Sequence, residues 1–305
     1  MTDVDVELAR ATVVNVLGND TDVDGDTLTI VSVSNGAHGT VAITGGGTGL
    51  TYDPVQLYVG TDVFTYAISD GNGGSDTATV LLTVVKDTGK PVVTAPSERF
   101  YAQTVGSTTM KVHLSWAGAD PGGTGVASYK LQVSVNGGSY STVALASPGS
   151  TSVNRVLTSG RTVRYRVRAT DREGNVGAYV YGPTFSPGRY QNTSSSIVYS
   201  GAWTTRANVR ALAGSHRYSS TVGATASITK TVRDIAWVAT KTATSGSAEV
   251  WVDGLLAATI NLRSSSTTYR QLVFHRDFGT LGSHTMEIRP IGGGRVYLDA
   301  ILVYR

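Results

Sequence analysis

Four aspartates alternate in the run NDTDVDGDTLT: Asp20, Asp22, Asp24 and Asp26, with Gly25 among them. Carboxylates this close repel unless a cation or water relieves them, and a hard cation such as calcium fits such a donor set. Asp70, in the turn Asp70-Gly71-Asn72-Gly73-Gly74, is the expected additional ligand, with backbone carbonyls. The loop is not an EF-hand, because Val31 (counted from Asp20) or Val33 (from Asp22) stands where a bidentate Glu is required. The competing reading is a solvated, Asx-rich turn between strands.

The second group of candidate residues is aromatic. Sugars are held by aromatic faces against C–H-rich ring faces, with planar polar side chains reading the hydroxyls. Trp203, Tyr218, Trp237, Trp251 and Tyr269 are the candidates. Strand alternation puts Ala248, Val250 and Val252 on one face and Glu249, Trp251 and Asp253 on the other, so Trp251 stands on a polar face. Trp237 shares a face with Ile235 and Ala239 and is expected in the core. His216, Arg217 and Tyr218 follow a Gly-containing loop and are candidates to line a cleft. The expected ligand set is Trp251, Tyr218, His216, Arg217 and Trp203, with core or inter-domain packing as the alternative for each aromatic. Catalytic motifs are missing: no G-x-S-x-G, no H-E-x-x-H and no phosphate loop. The chain is expected not to be an enzyme.

These residues must be positioned by strands. Apolar and polar residues alternate in short runs rich in Val, Thr, Ile and Tyr, punctuated by Gly, Asn, Asp and Ser, and helical periodicity is almost absent. Short strands at about 8–12-residue spacing with such turns mean β-sandwiches or barrels. The first strand is read at 11–17, and others include 27–34, 62–69, 75–85, 110–117, 162–171, 225–232, 235–240, 269–278 and 284–290. Asp253-Gly254 signals a type I′ hairpin, and Val135-Asn136-Gly137-Gly138 another hairpin.

The 305 residues suit several domains. The linker DTGKPVV and the breaks at Pro183 and Pro187 divide the chain into 1–86, 87–187 and 188–305. The net charge of +3 conceals an uneven distribution. Residues 1–86 carry 11 acids against 2 bases, 87–187 carry 5 against 10, and 188–305 carry 6 against 13. The bases scatter along strands without a block that would track phosphates, so no nucleic-acid partner is expected. The alternating Arg164, Arg166 and Arg168 are read as a solvated face. The absence of Cys removes disulfides and thiolate metal sites. No transmembrane stretch is present and no leader is read after Met1; Arg305 is expected to be a C-terminus.

VLGNDTDVDGDTLTIVSVSNGAHGTV and GTDVFTYAISDGNGGSDTATVLLTV resemble the cadherin-like, immunoglobulin-like repeats of large secreted bacterial adhesins. The resemblance implies an extensible stalk module stiffened by calcium, with Asp62 and Asp70 at the family's acidic positions. Residues 1–10 depart from it, lacking the usual Pro-led first strand. ASYKLQVSVNGGSY and YRVRATDREGNVGAY resemble a fibronectin type III-like sandwich. That resemblance implies a spacer with Trp116 in its core, Tyr165 as its strand tyrosine, and Asp171, Gly174 and Asn175 in its turn. The run from WTTRANVRALAGSHRYSS to YLDAILV resembles a galactose-binding-like jelly roll, many relatives of which are carbohydrate-binding modules. Asp299 resembles the structural-calcium or strand-anchoring Asp of such jelly rolls.

The expectation is an all-β chain of three tandem sandwiches. It would be a non-catalytic region of a secreted or cell-surface bacterial protein, with calcium-stiffened spacers and a terminal module for adhesion or substrate targeting. The expected partner is a polysaccharide or cell-surface glycan, or copies of itself and other domains of a larger chain, with no membrane insertion. The alternative is a structural stalk or filament subunit with protein–protein contacts.

Overall fold

A computed structural model describes residues 2–7, 12–101 and 104–305, with 2–7 described as backbone. The expected strand at 11–17 begins at Ala11, outside the described residues; the strand seen is Thr12–Val14. Strands dominate, and two short 3-10 turns are the only helical elements among the described residues. None is long or apolar enough to cross a membrane.

The chain is all-β, and its strand ladders fall into three groups along the sequence. In the first, Gly60–Ser69 and Ser75–Val85 form a hairpin flanked by Thr29–Val33 on one side and Thr2–Glu7 on the other. Thr2–Glu7 pairs parallel to Ser75–Val85 over its whole length. The sequence reading assigned no strand there, although TDVDVE alternates acids with Val. A three-stranded sheet of Thr12–Val14, Gly49–Pro54 and Gly39–Thr44 completes the group. Its core is built from inward-alternating residues, among them Val14, Leu50, Tyr52, Phe64, Tyr66 and Leu82.

The second group pairs Ser152–Thr158, Thr109–Ser115 and Ser97–Phe100 in one sheet, and Ser141–Thr142, Val126–Val135, Val163–Asp171 and Val180–Phe185 in another. Val163, Tyr165, Val167 and Ala169 are buried while Arg164, Arg166 and Arg168 point outward. Trp116 is buried in this core. The Asp171 carboxylate accepts from the backbone N–H and side-chain amide of Asn175, and Gly174 has a φ of 88° that a side chain would strain.

The third group has a larger sheet in the order Pro187–Gln191, Ala300–Tyr304, Thr225–Lys241, Thr268–Gly292, Ser247–Val252 and Leu255–Asn261, with Val198–Ser200 also pairing to Thr225–Lys241. A smaller sheet holds Thr204–Ala207, Ser215–Ser219 and Val296–Leu298. Asp253 and Gly254 have φ of 51° and 80°, the pair of positive values a type I′ turn needs. The segments read separately as 225–232 and 235–240 are one strand, as are those read at 269–278 and 284–290. Register shifts at 232/234 absorb the intervening residues without ending the ladder.

The second and third groups share a core. Phe100, Met110, Leu114, Tyr165 and Phe185 form one continuous cluster with Ala236, Val238, Ala300, Leu302 and Tyr304. Tyr304 stacks on Phe100 at 4.0 Å and meets Phe185 edge-on at 5.4 Å. The first group meets the second at the linker, where Lys86 pairs with Glu173 and the Asn175 amide donates to the Asp87 carbonyl.

Candidate functional site

The outward face of the terminal sandwich carries Trp251. Val250 and Val252 turn inward on Ser247–Val252, leaving Glu249 and Trp251 to face out. On the neighbouring strand Met286 and Ile288 are buried while Glu287 and Arg289 face the same side. The four residues assemble into one arrangement. The Trp251 indole N–H donates to Glu249 Oε2 at 2.8 Å, and the Arg289 guanidinium lies over the Trp251 ring at 4.2 Å. Arg289 also donates to Glu287. The half-buried indole thus lies under one guanidinium and beside two carboxylates, so its edge and these planar polar groups, which read hydroxyls, are what the face presents.

Trp203 and Arg217 meet in a second place, around Tyr199. Trp203 lies 5.3 Å from the Tyr199 ring, and Arg217 lies over that ring at 4.3 Å while donating to Thr205. Burial pushes the Tyr199 hydroxyl up to about 12, against the lowering effect of Arg217. The Trp203 indole N–H is buried without a partner. Tyr218 packs against Tyr297 and under Arg295. Trp251 belongs to the larger sheet, whereas His216, Arg217 and Tyr218 belong to the smaller one.

His216 does not line a cleft. It is 3% exposed and sits beside Thr240 and Asp299, its Nδ1 3.7 Å from Asp299 Oδ1. The Thr240 hydroxyl donates to Asp299 at 3.2 Å. Pairing of Ser215–Ser219 with Val296–Leu298 turns this imidazole into the sandwich. Burial pushes the Asp299 carboxyl up to about 7, partly offset by Thr240 and Arg270. Burial and the nearby Arg206 hold the His216 pKa down. Trp237 is fully buried and donates to the Tyr297 carbonyl.

In the first sandwich Asp20, Asp22 and Asp26 of the acidic loop accept hydrogen bonds from the loop's own backbone and from neighbours. Asp22 Oδ1 accepts from the N–H groups of Asp24 and Asp26. Asp20 accepts from the Tyr66 hydroxyl, and Asp26 from the Asn72 amide. Asp70 accepts from Asn72 and Gly74. Asp20, Asp22 and Asp70 line one shallow depression with Asp76; Asp24 and Asp26 are not part of its lining. Asp62 is buried and accepts from Ala37, His38, Val63 and the Tyr52 hydroxyl, which makes it an anchor for the 36–38 loop.

The three-carboxylate convergence among the described residues lies elsewhere. Asp87, Asp120 and Asp171 each offer an oxygen, and these oxygens lie within 4.8 Å of one another. Asp87 and Asp171 are buried, and Asp120 Oδ1 is enclosed without a hydrogen-bond partner. Burial and the neighbouring Asp87 and Asp171 push the Asp120 carboxyl up, against the Gly125 N–H. Oxygen donors of this kind suit a hard cation. The trio was not legible in the sequence because its members come from a linker, a loop and a strand end, so only the fold brings them together.

Comparison with known proteins adds three findings. Residues 2–83 match the family model described as a bacterial Ig domain, which supports the immunoglobulin-like resemblance of the first sandwich. The chain is 32% identical over 116 residues to a Flavonifractor plautii protein named as an A type blood N-acetyl-alpha-D-galactosamine deacetylase. The match covers 37% of this chain and 15% of that enzyme's length. Among solved structures, a family two carbohydrate esterase from Cellvibrio japonicus is similar with a TM-score of 0.31 at 17% identity, over 39% of this chain and 34% of that one. A Bacteroides ovatus glucan-utilization protein, solved in complex with a mixed-linkage heptasaccharide, has a TM-score of 0.23 at 11% identity, over 98% and 94%. Scores this low speak neither for a common overall fold nor for a common function.

The expectation that the chain is not an enzyme is contradicted by the second finding, since the relative matched over 37% of this chain is named as a deacetylase. Absence of short catalytic motifs was a weak ground for it, because catalytic groups distant in sequence can meet in space.

Proposed function

We propose that this chain serves a carbohydrate-active bacterial protein outside the cell or at its surface, and that its terminal sandwich holds glycan through the Trp251 face. The observation that carries this reading is the outward Trp251 framed by Glu249, Glu287 and Arg289. The similarity to an enzyme named for an N-acetyl-galactosamine substrate supports a sugar ligand. The Trp203–Tyr199–Arg217 cluster is a second contact area in the same proposal. Calcium belongs to it too, at Asp87, Asp120 and Asp171, where it would tie the linker to a loop and a strand end of the middle sandwich. Affinity electrophoresis of the intact chain through gels containing polysaccharides tests the glycan reading. Retardation by at least one of them, abolished by Trp251→Ala, is expected. Unchanged retardation of that variant would move the site away from Trp251.

A further inference from the structure

The outer face of the middle sandwich carries an arginine–tyrosine lattice. Arg164, Arg166 and Arg168 alternate outward on Val163–Asp171, about 6.7 Å apart along the strand. Lys130 stands opposite Arg168 on the adjacent strand. Tyrosines from neighbouring segments fill the gaps. Arg166 lies over Tyr140 and Tyr179, each at 4.0 Å; Arg164 lies over Tyr181 at 4.8 Å, and Arg168 over Tyr179 at 4.7 Å. Arg166 is further pinned by Gln132, which accepts from its Nε and a terminal nitrogen, and by the Tyr181 hydroxyl. Four cations therefore share one sheet face, and none makes an ion pair among the described residues.

Such a face holds cations in fixed positions without neutralising them. We propose that it is a binding surface for an acidic polysaccharide, a chain bearing uronate carboxylates. Stacking on tyrosine orients the guanidinium planes while leaving terminal N–H groups of Arg164 and Arg168 to take carboxylates. The flat, multi-stranded face suits an extended chain, and the tyrosine edges and hydroxyls add contacts to sugar rings. Two other polyanions fit less well. Nucleobases stack on whole ring faces, which guanidinium groups cover here, whereas a sugar can be held at a ring edge and by the polar groups around it. The acidic loop of a second copy is partly engaged at home, since Asp22, Asp26 and Asp70 accept hydrogen bonds within their own sandwich. The surface is separate from the Trp251 face and the inference does not rest on the terminal sandwich binding glycan.

The test measures retention of the intact chain by polygalacturonate, hyaluronan and chondroitin sulfate, with methyl-esterified polygalacturonate as the uncharged counterpart. The double variant Arg164→Gln/Arg168→Gln leaves the pinned Arg166 in place, and Lys130→Gln, outside the stack, serves as an independent second variant. Retention by at least one acidic polymer is expected, falling with added salt. The double variant should bind ~10-fold or more weakly, with Lys130→Gln intermediate and Trp251→Ala unchanged. The inference is overturned by equal retention on the esterified polymer, or by no retention on any acidic polymer at low salt. It is also overturned if single-stranded DNA of matched charge binds more tightly, if the variants bind as well as the parent, or if Trp251→Ala abolishes the binding.

Discussion

Asp62 shows how one carboxylate can organise a loop. It is 4% exposed and accepts three backbone N–H groups and the Tyr52 hydroxyl. Gly36 packs so close to it that a Cβ there would overlap the carboxylate. Burial raises the Asp62 pKa, but the hydrogen bonds from Tyr52, His38, Val63 and Ala37 outweigh it and hold the pKa below the usual carboxylate value. A depressed folded-state pKa contributes stability that is present above the ordinary carboxylate range and lost as pH falls through the folded value. Asp62→Ala should destabilise the first sandwich by about 3 kcal/mol in chemical denaturation. It should also remove part of the acid sensitivity of that transition. The calcium proposal belongs to this scale as well. Calcium should raise the melting temperature by binding the native state, and Asp120→Asn should abolish the rise. Asp22→Asn should leave it intact, because the proposed cation is held by Asp87, Asp120 and Asp171 and Asp22 lies in another sandwich. The reverse pattern in differential scanning calorimetry would return the cation to the acidic loop.

At the scale of elements, the middle and terminal sandwiches behave as one body because strands from both contribute to one core. Tyr304→Ala removes a fully buried ring that stacks on Phe100 and should cost about 4 kcal/mol. Calorimetry should show it shifting a single transition covering both sandwiches while the first sandwich melts as before. The same junction holds a titratable cluster. Burial and the nearby Asp277 push the Glu98 carboxyl up to about 8, against the opposing Arg233. Asp234 accepts from the Phe100 N–H, and its carboxylate, 3.6 Å from His275 Nδ1, raises the His275 pKa. Both Glu98 and His275 have raised folded-state values, so their contributions are complete below the unfolded values and fade as pH rises through the folded ones. Melting of the joined body should therefore occur at progressively lower temperature as pH goes from about 5 to about 9, and Glu98→Gln should flatten the slope. A slope unchanged by that variant would remove Glu98 from the account.

At the scale of the whole molecule, local signals were legible and long-range ones were not. The positive φ pair at Asp253 and Gly254 and the outward Trp251 follow from turn chemistry and period-two alternation, both written within a few residues. His216 was misplaced because nothing local tells which side of Ser215–Ser219 faces Asp299, 83 positions later in the sequence. Asp87, Asp120 and Asp171 escaped notice for the same reason, as did the shared core. The scattered arginines of residues 87–187 looked like a solvated surface because the tyrosines that order them come from other segments. Charge thus separates by module, with carboxylates concentrated in the first sandwich and a row of arginines on one face of the second.

The central claim is that the terminal sandwich holds sugar against Trp251. A glycan array probed with the intact chain, in parallel with Trp251→Ala, tests it most directly, with N-acetylgalactosamine-terminated structures included. The account predicts binding to a defined set of glycans that drops by roughly 30-fold or more when this indole is removed. Binding that survives the substitution undiminished, or no binding to any glycan on the array, would contradict it.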